Sequence, residues 1–542
     1  MSEHVQVPIP VNELVRSLAP GTGERRTLKA ALADMSAQKI DIPVIVGGKE
    51  IRTGKTGQAT MPHNHGHVLA TWHKAGPAEV TQAIEAAAEA HKEWSSWAWE
   101  DRAAVLLRAA ELLATSWRST LNGATMLCQS KTCHQAEIDA ACETIDFYRF
   151  NAHYAGRLYE DQPLSVGGAW NRIDYRPLEG YVYAVTPFNF TSIAGNLPTS
   201  PALMGNTVLW KPASSTVYSG YFLMRLLEEA GMPPGVINFL PGDAAAISGV
   251  ALNDPGLAGI HFTGSTGVFQ SMWRTVGENI ARYRSYPRLV GETGGKDFIV
   301  AHPSADRAAL VTAIIRGGFE YQGQKCSAVS RVYLPDTLWK AIRDELVSLT
   351  TGLAMGDPAD FRNFMGAVID RAAFGSISEY IEGARRSPDA EVIAGGETDG
   401  KLGYFIRPTL IQAKRPDYRT MCEEIFGPVV TLYVYPEREW ERTLELVNST
   451  SPYALTGAVF ARDRAALRQA NRALRFAAGN YYVNDKPTGA VVGQQPFGGG
   501  RASGTNDKAG SMLNLIRWVS ARTIKETFAP PTDHRYPFMA EE

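Results

Sequence analysis

Two polar turns in the second half of the chain carry side chains suited to covalent chemistry. Cys326 lies in the segment GQKCSA, residues 323–328, and Glu292 begins the segment ETGGK, 34 positions upstream of the cysteine. Because an ordinary cysteine is only a few per cent thiolate at neutral pH, a nucleophilic one needs a base or hydrogen-bond donors nearby. A cysteine without such context is more often a small buried hydrophobe. Glu292 is the candidate base, and the surrounding segments favour the catalytic interpretation.

The chain between these two turns predicts how they meet. Residues 297–300 have the apolar pattern of a short strand. Residues 304–321 have the spacing of an amphipathic helix, with Ser304 as its N-cap. Since a strand and a returning helix bring their outer ends together, Glu292 and Cys326 are expected in one site.

The composition is that of a large globular protein without a strong overall charge. The chain has 542 residues and is 44% hydrophobic. This length predicts about three or four domains or lobes. With 54 Lys and Arg against 56 Asp and Glu, the net charge is −2. The protein as a whole therefore has no positive electrostatic field that would attract nucleic acid or an anionic membrane. The sequence therefore argues against nucleic-acid binding.

The cysteines and the amino terminus bear on the cellular compartment. Five cysteines, an odd number without paired CxxC spacing, indicate free thiols in a reducing compartment. Residues 1–10 lack an apolar core after a basic start, and no run of 18 apolar residues follows. We therefore expect a cytoplasmic protein without a membrane segment.

One histidine-rich segment suggests a metal site. His63, His65 and His67 alternate within a turn-like stretch that has no carboxylate or cysteine partner at ligand spacing. A solvated turn is the preferred interpretation, and no metal site is predicted.

Four apolar runs alternate with helical segments, which is typical of a parallel sheet covered on both faces. The runs are residues 181–185, 207–210, 236–239 and 259–262. Because ligands of open α/β sheets bind outside the carboxyl ends of the strands, the turns that follow these runs are candidate binding residues.

Three of these turns carry groups that fit a nucleotide or an oxyanion. Asn189, in PFNF, offers an amide donor, although an asparagine in a turn is usually there for the turn itself. Lys211 and Ser214, in KPAS, place an ammonium and a hydroxyl near a helix start. The turn FTGSTG, residues 262–267, offers backbone donors without forming a GxGxxG motif. Together the turns predict a nucleotide site.

A second alternating region extends from residue 299 to about 484 and predicts a second α/β unit. Two further segments read as edge strands. Residues 170–177 predict an exposed arm, and residues 515–528 predict a strand that pairs with this arm or with another subunit.

The ordered motifs are similar to those of the aldehyde dehydrogenase superfamily from about residue 40 to the end. They are PFNF with Asn189, WKPASS with Lys211, FTGSTG, ETGGK with Glu292, GQKCSA with Cys326, EEIFGPVV with Glu424 and Phe426, and PFGGG at 496–500. The resemblance implies an α/β fold with a Rossmann-like NAD-binding domain, an α/β catalytic domain and a small β oligomerisation arm. It also implies these domain bounds: residues 1–160 and 182–290 for the N-terminal arm and NAD-binding domain, 291–510 for the catalytic domain, and 161–181 and 511–542 for the oligomerisation arm and tail.

The resemblance implies a mechanism and a cofactor. Cys326 attacks an aldehyde, the Asn189 amide and the Cys326 N–H hold the oxyanion, and Glu292 activates water to hydrolyse the thioester. Lys211 holds the adenine-side ribose and Glu424 the nicotinamide-side ribose, while Phe426 packs near the nicotinamide. The further cofactor residues are Thr186, Ser214, Gly264, Ser265, Thr266, Gly267 and Val268.

Two positions depart from the superfamily pattern. Many members have glutamate where Ser214 stands, and its absence leaves room for NADP as a weaker cofactor beside NAD. Many also have a second glycine where Phe269 stands, so Gly264 and the backbone after it carry the match at this turn.

Within the superfamily, three features resemble the pyrroline-5-carboxylate dehydrogenase family: Ser327, the segment TGAVVGQQPF at 488–497, and FTGSTGVFQ at 262–270. This resemblance implies NAD-dependent oxidation of L-glutamate γ-semialdehyde to L-glutamate, the second step of proline degradation. Ser327 and the Gly489 and Ala490 N–H groups would bind the α-carboxylate, with Phe190 and Phe497 beside the aliphatic stem.

Three alternatives remain open at this stage. Another acid-bearing semialdehyde such as succinate semialdehyde would more naturally meet an arginine. A catalytically inactive binding protein with this fold would have no reason to keep Cys326, Glu292 and Asn189 together. Glu143, on a predicted helix, is either a solvated residue or a substrate contact. The expected partners are a small-molecule substrate, a second copy in a homodimer or higher homo-oligomer, and a separate proline dehydrogenase.

Overall fold

The computed structural model describes residues 7–541. Its helices and strands alternate along most of the chain, as the sequence pattern predicts. The strands are β1 (Ile40–Ile42), β2 (Val44–Val46), β3 (Lys49–Ile51), β4 (Thr56–Met61), β5 (Asn64–His73), β6 (Ala169–Pro177), β7 (Tyr181–Val185), β8 (Thr207–Lys211), β9 (Ile237–Phe239), β10 (Leu257–Thr263), β11 (Arg288–Glu292), β12 (Asp297–Ala301), β13 (Val329–Pro335), β14 (Ala390–Ala394), β15 (Thr398–Asp399), β16 (Phe405–Ile406), β17 (Thr409–Ala413), β18 (Val429–Tyr435), β19 (Tyr453–Ala454), β20 (Thr456–Phe460), β21 (Asn480–Val483), β22 (Gly500–Arg501) and β23 (Val519–Thr527). The α-helices are α1 (Gly23–Ser36), α2 (Pro77–Trp94), α3 (Trp99–Ala114), α4 (Arg118–Gln129), α5 (Cys133–Ala136), α6 (Thr144–Glu160), α7 (Thr191–Leu203), α8 (Val217–Glu229), α9 (Ala244–Ala251), α10 (Thr266–Glu278), α11 (Arg307–Phe319), α12 (Asp336–Thr351), α13 (Arg371–Arg386), α14 (Arg419–Cys422), α15 (Trp440–Ser449), α16 (Arg464–Ala473) and α17 (Met512–Leu515).

The first large sheet brings the predicted turns to one edge. Its seven strands lie in the order β11-β10-β7-β8-β9-β2-β3, and the five from β11 to β9 are parallel. Val185, at the end of β7, pairs with Lys211 on β8, and Thr263 on β10 pairs with Glu292 on β11. The carboxyl ends of four strands therefore meet at a single edge, where ligands of such sheets bind.

The second large sheet lies downstream in the chain and confirms the second α/β region. Its order is β14-β17-β18-β13-β12-β20-β21, and all neighbours are parallel except the antiparallel edge strand β14. A short linker, residues 293–296, connects β11 of the first sheet to β12 of the second. Glu292 and the nucleophile turn before β13 therefore face each other from neighbouring sheets.

The arm predicted at 170–177 pairs with the carboxyl-terminal strand. β6 and β23 form an antiparallel ribbon in register from Ala169 opposite Thr527 to Pro177 opposite Val519. This confirms the predicted pairing within one chain. β2 and β3, from residues 44–51, join the first sheet, whereas β1, β5 and β4 form a separate three-stranded sheet.

Three local predictions were wrong. The helix before Cys326 begins at Arg307, because Asp306 is the N-cap and accepts the Ala309 N–H at 3.0 Å. Ser304 instead accepts the N–H groups of Arg462 and Asp463 at 3.0 and 2.9 Å. The sequence pattern also predicts a helix over about residues 27–37, but this helix begins at Gly23, because Thr22 caps it.

The third error concerns the histidine-rich segment. Residues 64–67 begin the long strand β5, and His63 is buried at 4% exposure, so the segment is not a solvated turn. Among residues 7–541, no cluster of three or more His, Cys, Asp or Glu side chains could hold a metal ion. In the same part of the chain, no helix has the length and apolar character needed to cross a bilayer.

Candidate active site

A cavity of about 630 Å³ contains two of the three predicted catalytic residues. Glu292 and Cys326 line it together, and so do all five residues predicted to bind the substrate. The additional lining residues include Glu143, His261, Thr263, Arg316, Lys325, Thr488, Val491, Val492 and Asp507, and three residues of the N-terminal segment, Asn12, Glu13 and Val15.

The backbone before Cys326 is held in an unusual conformation. Tyr321 and Gln322 are non-glycine residues in the left-handed region, at φ of 51° and 56°. The buried Gln322 amide donates to the carbonyls of Ser130 and Ala367, at 3.1 and 2.7 Å, which fixes this strained turn. The nucleophile therefore sits on a rigid support.

Gly323 is required at this turn on two grounds. Its φ is +65°, and a Cβ on it would lie 2.2 Å from the Gly427 carbonyl oxygen. A side chain would push the nucleophile turn away from the loop that carries Glu424 and Phe426.

The Cys326 thiol is protonated in the free site. Burial raises its pKa well above the usual value, and the negative charges of Glu292, Asp297 and Glu424 raise it further. Thiolate formation therefore has to be coupled to removal of the thiol proton.

Glu292 ends β11 and is fixed by the returning chain. Gly504 forms an antiparallel bridge with it, and the Thr505 N–H donates to the Gly291 carbonyl at 2.9 Å. Burial raises the pKa of Glu292 to about 8, the Lys508 ammonium acts in the lowering direction, and Asp507 acts in the raising direction. A carboxyl with this pKa is suited to accept a proton near neutral pH.

Asn189 reaches the nucleophile turn from the first sheet. Its side-chain amide donates to the Gln324 carbonyl at 3.1 Å, and the residue is 3% exposed. It is not among the residues that line the cavity. Within residues 7–541, no backbone carbonyl accepts the Cys326 N–H, so this donor is available to an oxyanion.

The predicted carboxylate-binding groups lie close together on one side of the cavity. The Ser327 hydroxyl is 2.8 Å from the Thr488 hydroxyl, which immediately precedes Gly489. Gly489 has φ of +90°, and within the described residues no backbone carbonyl accepts the N–H of Gly489 or of Ala490. Two backbone donors and one hydroxyl are therefore free to meet an anion.

Sequence reasoning missed the support beneath Phe190. The buried Asp139 carboxylate accepts the Thr191 and Ser192 N–H groups at 3.0 and 2.9 Å, which caps α7 directly after Asn189 and Phe190. Lys131 pairs with Asp139 at 2.5 Å, and its ammonium lies 4.2 Å from the centre of the Phe190 ring. Nothing in the sequence links residues 131 and 139 to a turn some fifty positions away.

Glu143, which the sequence left as either a solvated residue or a substrate contact, lines the cavity. Burial raises its pKa to about 8, the Asp139 carboxylate raises it further, and the Lys131 ammonium acts in the lowering direction. The carboxyl is therefore mostly neutral near pH 7 until a cation enters the cavity.

The predicted cofactor residues occupy the carboxyl edge of the first sheet. Lys211 ends β8 and is 7% exposed; burial lowers the pKa of its ammonium, and Asp243 opposes this. The Thr186 hydroxyl accepts from the Trp210 indole at 3.0 Å, and Ser214 donates to the Gly242 carbonyl at 3.5 Å. A buried ammonium beside two strand ends fits a ribose hydroxyl or a phosphate.

The helix after FTGSTG supplies the second part of this edge. The 13-residue α10 begins at Thr266, and Ser265 occupies its N-cap without a side-chain cap. The N–H groups of the first turn, which includes Gly267 and Val268, have no intrahelical partner. A Cβ on Gly267 would meet nothing within 4 Å, so the approach to these donors is open. Gly264 ties the turn to Glu292 through a 3.2 Å backbone hydrogen bond.

Glu424 and Phe426 complete the nucleotide-facing set. The Glu424 carboxylate accepts the Gly295 N–H at 2.9 Å, next to the linker between the sheets. Phe426 adopts φ of 57° and packs edge-on against Phe188 with ring centres 5.7 Å apart. The buried ammonium, the open helix terminus and the carboxylate together fit a dinucleotide such as NAD.

The sequence and the structure of the chain are similar to those of known proteins. Residues 51–523 match the model of the aldehyde dehydrogenase family. The chain is 52% identical over 538 residues to mitochondrial delta-1-pyrroline-5-carboxylate dehydrogenase of Dictyostelium discoideum, covering 99% of this chain and 96% of the relative. It superimposes with a TM-score of 0.97 on the crystal structure of the delta-pyrroline-5-carboxylate dehydrogenase from Mycobacterium tuberculosis bound with NAD, which is 54% identical, with 100% of each chain covered.

A longer solved protein matches as well. Proline utilization A from Bdellovibrio bacteriovorus is 30% identical with a TM-score of 0.91, and the match covers 96% of this chain and 54% of that one. The family and fold predicted from the motifs are confirmed. The chain belongs to the aldehyde dehydrogenase family.

Proposed function

We propose that this chain oxidises L-glutamate γ-semialdehyde, which is in equilibrium with Δ1-pyrroline-5-carboxylate, to L-glutamate with NAD, the second step of proline degradation. The observation that carries the proposal is the shared cavity of Cys326, Glu292, Ser327 and the free N–H groups of Gly489 and Ala490. It holds a nucleophile, a base and a carboxylate anchor. Relatives at about half identity bear the name of this activity.

The first step belongs to Cys326. Its thiol loses a proton, and the sulfur forms a bond to the aldehyde carbon while the carbonyl oxygen becomes an oxyanion. The free Cys326 N–H and the Asn189 side-chain amide, which reaches the same turn from the first sheet, are the donors that stabilise this charge.

Oxidation and hydrolysis follow. NAD, when bound, accepts the hydride that leaves the aldehyde carbon, and a thioester remains on Cys326. Glu292 takes a proton from water, whose oxygen attacks the thioester carbon, so that glutamate leaves and the thiol is regenerated. The raised pKa of Glu292, about 8, keeps it basic enough for this task.

Substrate recognition uses both charges of the amino acid. Ser327 and the Gly489 and Ala490 N–H groups bind the α-carboxylate, and Phe190 and Phe497 flank the stem. Glu143 lines the same cavity, and an α-ammonium beside it would shift its carboxyl to the ionised form. This adds a substrate contact that the sequence alone left undecided.

Succinate semialdehyde is the second candidate substrate. Arg316 lines the cavity, and an arginine is a side chain suited to bind the single carboxylate of this substrate. Glu143 argues against this substrate, because succinate semialdehyde has no ammonium group that could pair with the Glu143 carboxylate.

The cofactor and partners complete the proposal. Ser214 brings no carboxylate to repel a 2′-phosphate, so NADP is a weaker alternative to NAD. The β6–β23 ribbon supports a homodimer or higher homo-oligomer, and the proline utilization A match supports a proline dehydrogenase as a partner that passes on the substrate. The five free cysteines support a cytoplasmic location, whereas the Dictyostelium relative is mitochondrial by name.

A substrate panel scored by NADH formation tests the proposal. L-Glutamate γ-semialdehyde, succinate semialdehyde and butanal are compared by kcat/KM with NAD and with NADP. The proposal predicts that glutamate semialdehyde is preferred over each of the others by at least about tenfold. Equal or better turnover of succinate semialdehyde would move the assignment to the second candidate.

A further inference from the structure

The N-terminal segment 7–18 lies outside the region shared with the family model, yet it forms part of the substrate cavity. The family match begins at residue 51. Asn12, Glu13 and Val15 nevertheless line the cavity that holds Cys326 and Glu292. This segment, called the N-terminal strap below, therefore adds to the site something that the family-wide core lacks.

Asn12 joins the strap to residues 488–497, the loop that carries the proposed carboxylate-binding N–H groups and is called the anchor loop below. Its amide donates to the Val492 carbonyl at 2.7 Å and to the Asp146 carboxylate on α6 at 2.8 Å. Its carbonyl oxygen accepts from the Gln494 amide at 2.9 Å. One side chain thus links the anchor loop to the body at two loop positions.

Within the described residues, positions 489–495 of the anchor loop have few other polar contacts with the rest of the chain, whereas Pro496 accepts from the Asn480 amide at 3.0 Å and Phe497 pairs with Ala509. Thr488 is held at one end by the Ser327 hydroxyl. At the other end Val492 packs against Phe147 and Phe150. Gly493, at φ of +83°, lies so close to Phe150 that a Cβ would stand 2.1 Å from the ring. Gly489 and Ala490 therefore lie between two attachment points, Thr488, which contacts Ser327, and Val492, which contacts Asn12.

The strap is itself firmly anchored. The Glu13 N–H donates to Asp146 at 2.7 Å, and the Glu13 carboxylate meets Arg118 and Arg149 at 2.6 and 2.8 Å. The Arg16 N–H donates to the buried Glu137 carboxylate at 2.9 Å. Arg118 is only 2% exposed, so its ion pair with Glu13 is shielded from water and from salt. The strap can therefore hold a loop in place.

We propose that the N-terminal strap is a wall of the substrate cavity and that Asn12 is a positioning residue, which fixes Val492 and Gln494 so that the Gly489 and Ala490 N–H groups point at the substrate carboxylate. The inference rests on the proposed function, because it assigns the strap to carboxylate recognition. Asn12 acts through the loop and not on the reacting atoms.

The test compares Asn12→Ala with the parent on two aldehydes. Loss of the hydrogen bonds frees one end of the anchor loop, so KM for glutamate semialdehyde should rise about tenfold, with kcat changed by less than about twofold. Butanal has no carboxylate, and its kcat/KM should stay within about twofold of the parent value.

Two further variants separate hydrogen bonding from general damage. Asn12→Asp keeps the shape but replaces the donor with a carboxylate that faces Asp146, so its KM should rise at least as much as that of Asn12→Ala. Val11→Ala, at the neighbouring and 74% exposed position, should leave both substrates unaffected. If Asn12→Ala does not fold, as judged by thermal unfolding, Gln494→Ala carries the same comparison.

The outcomes distinguish this inference from the function on which it rests. An unchanged KM for glutamate semialdehyde in folded Asn12→Ala, or an equal loss on butanal, would overturn the role of Asn12 while leaving the proposed function intact. If the parent enzyme instead prefers succinate semialdehyde, the proposed function fails. A KM rise in Asn12→Ala confined to that carboxylate substrate would still support the strap.

Discussion

At the residue scale, we propose that recognition of the carboxylate depends on Ser327. Its hydroxyl contacts that of Thr488, which is 3% exposed and immediately precedes Gly489. Ser327→Ala removes one hydrogen bond to a charged group, so kcat/KM for glutamate semialdehyde should fall about tenfold to a hundredfold. Propanal and butanal should react with variant and parent at similar low rates.

A matched control for this prediction is Thr488→Ser, which keeps the hydroxyl that Ser327 contacts. It should retain most of the activity on glutamate semialdehyde. If Ser327→Ala slowed simple aldehydes to the same extent, Ser327 would be supporting the geometry of Cys326, and recognition would rest on the anchor loop alone.

At the element scale, the segment 503–508 carries two charges that adjust the pKa of Glu292, which burial raises. Lys508 is held by the carbonyls of Gly479 and Gly498, at 2.8 and 3.0 Å. The groups that act on Glu292 are Lys508, which lowers its pKa, Asp507, which raises it, and the Cys326 thiol in the same cavity. The segment therefore supplies the one cation in this set.

This arrangement predicts a pH dependence for thioester hydrolysis. Because the ionised carboxylate is the base and its pKa is about 8, the hydrolysis rate should rise with pH through this value. Lys508→Met removes a positive charge that lowers the pKa of Glu292. The midpoint of the pH–rate profile should therefore move to higher pH, and hydrolysis at pH 7 should slow roughly three- to tenfold. Single-turnover decay of the acyl-enzyme measures this rate.

Lys508→Arg keeps the charge and should keep the midpoint close to that of the parent. A downward shift in Lys508→Met, or a pH-independent loss in both variants, would show that Lys508 serves the fold and not the protonation of Glu292.

The regular elements around the site were predictable because apolar runs report strand burial directly. The strands that end near Val185, Lys211 and Thr263 were expected from such runs, and their shared carboxyl edge followed from the parallel order. Local capping was less predictable, since Ser304 and Asp306 are both good N-caps and only the three-dimensional contacts of Ser304 decide between them.

Long-range polar contacts could not be predicted from the sequence. Lys131 and Asp139 look like the exposed face of a helix, yet both are buried beneath Phe190. Asn12 contacts Val492 across 480 positions, and no local pattern marks such a pair. These contacts arise from tertiary packing, which hydrophobic periodicity does not encode.

On the scale of the whole molecule, chemistry occurs where the two large sheets meet. Glu292 ends a strand of the first sheet, and Cys326 precedes a strand of the second. The returning chain at 488–508 joins both and supplies the carboxylate anchor. The substrate is therefore enclosed by parts of the chain that only the complete fold brings together.

The measurement that tests this account most directly is mass spectrometry of Glu292→Gln after reaction with glutamate semialdehyde and NAD. Without its base the enzyme should release a burst of NADH close to one equivalent per site and then stall, and the mass of the chain should increase by one glutamyl group on the peptide that contains Cys326. Cys326→Ala, as the control, should give neither burst nor adduct. An adduct on another residue, or a burst and a steady-state rate that fall in proportion with no adduct, would contradict the assigned roles of Cys326 and Glu292.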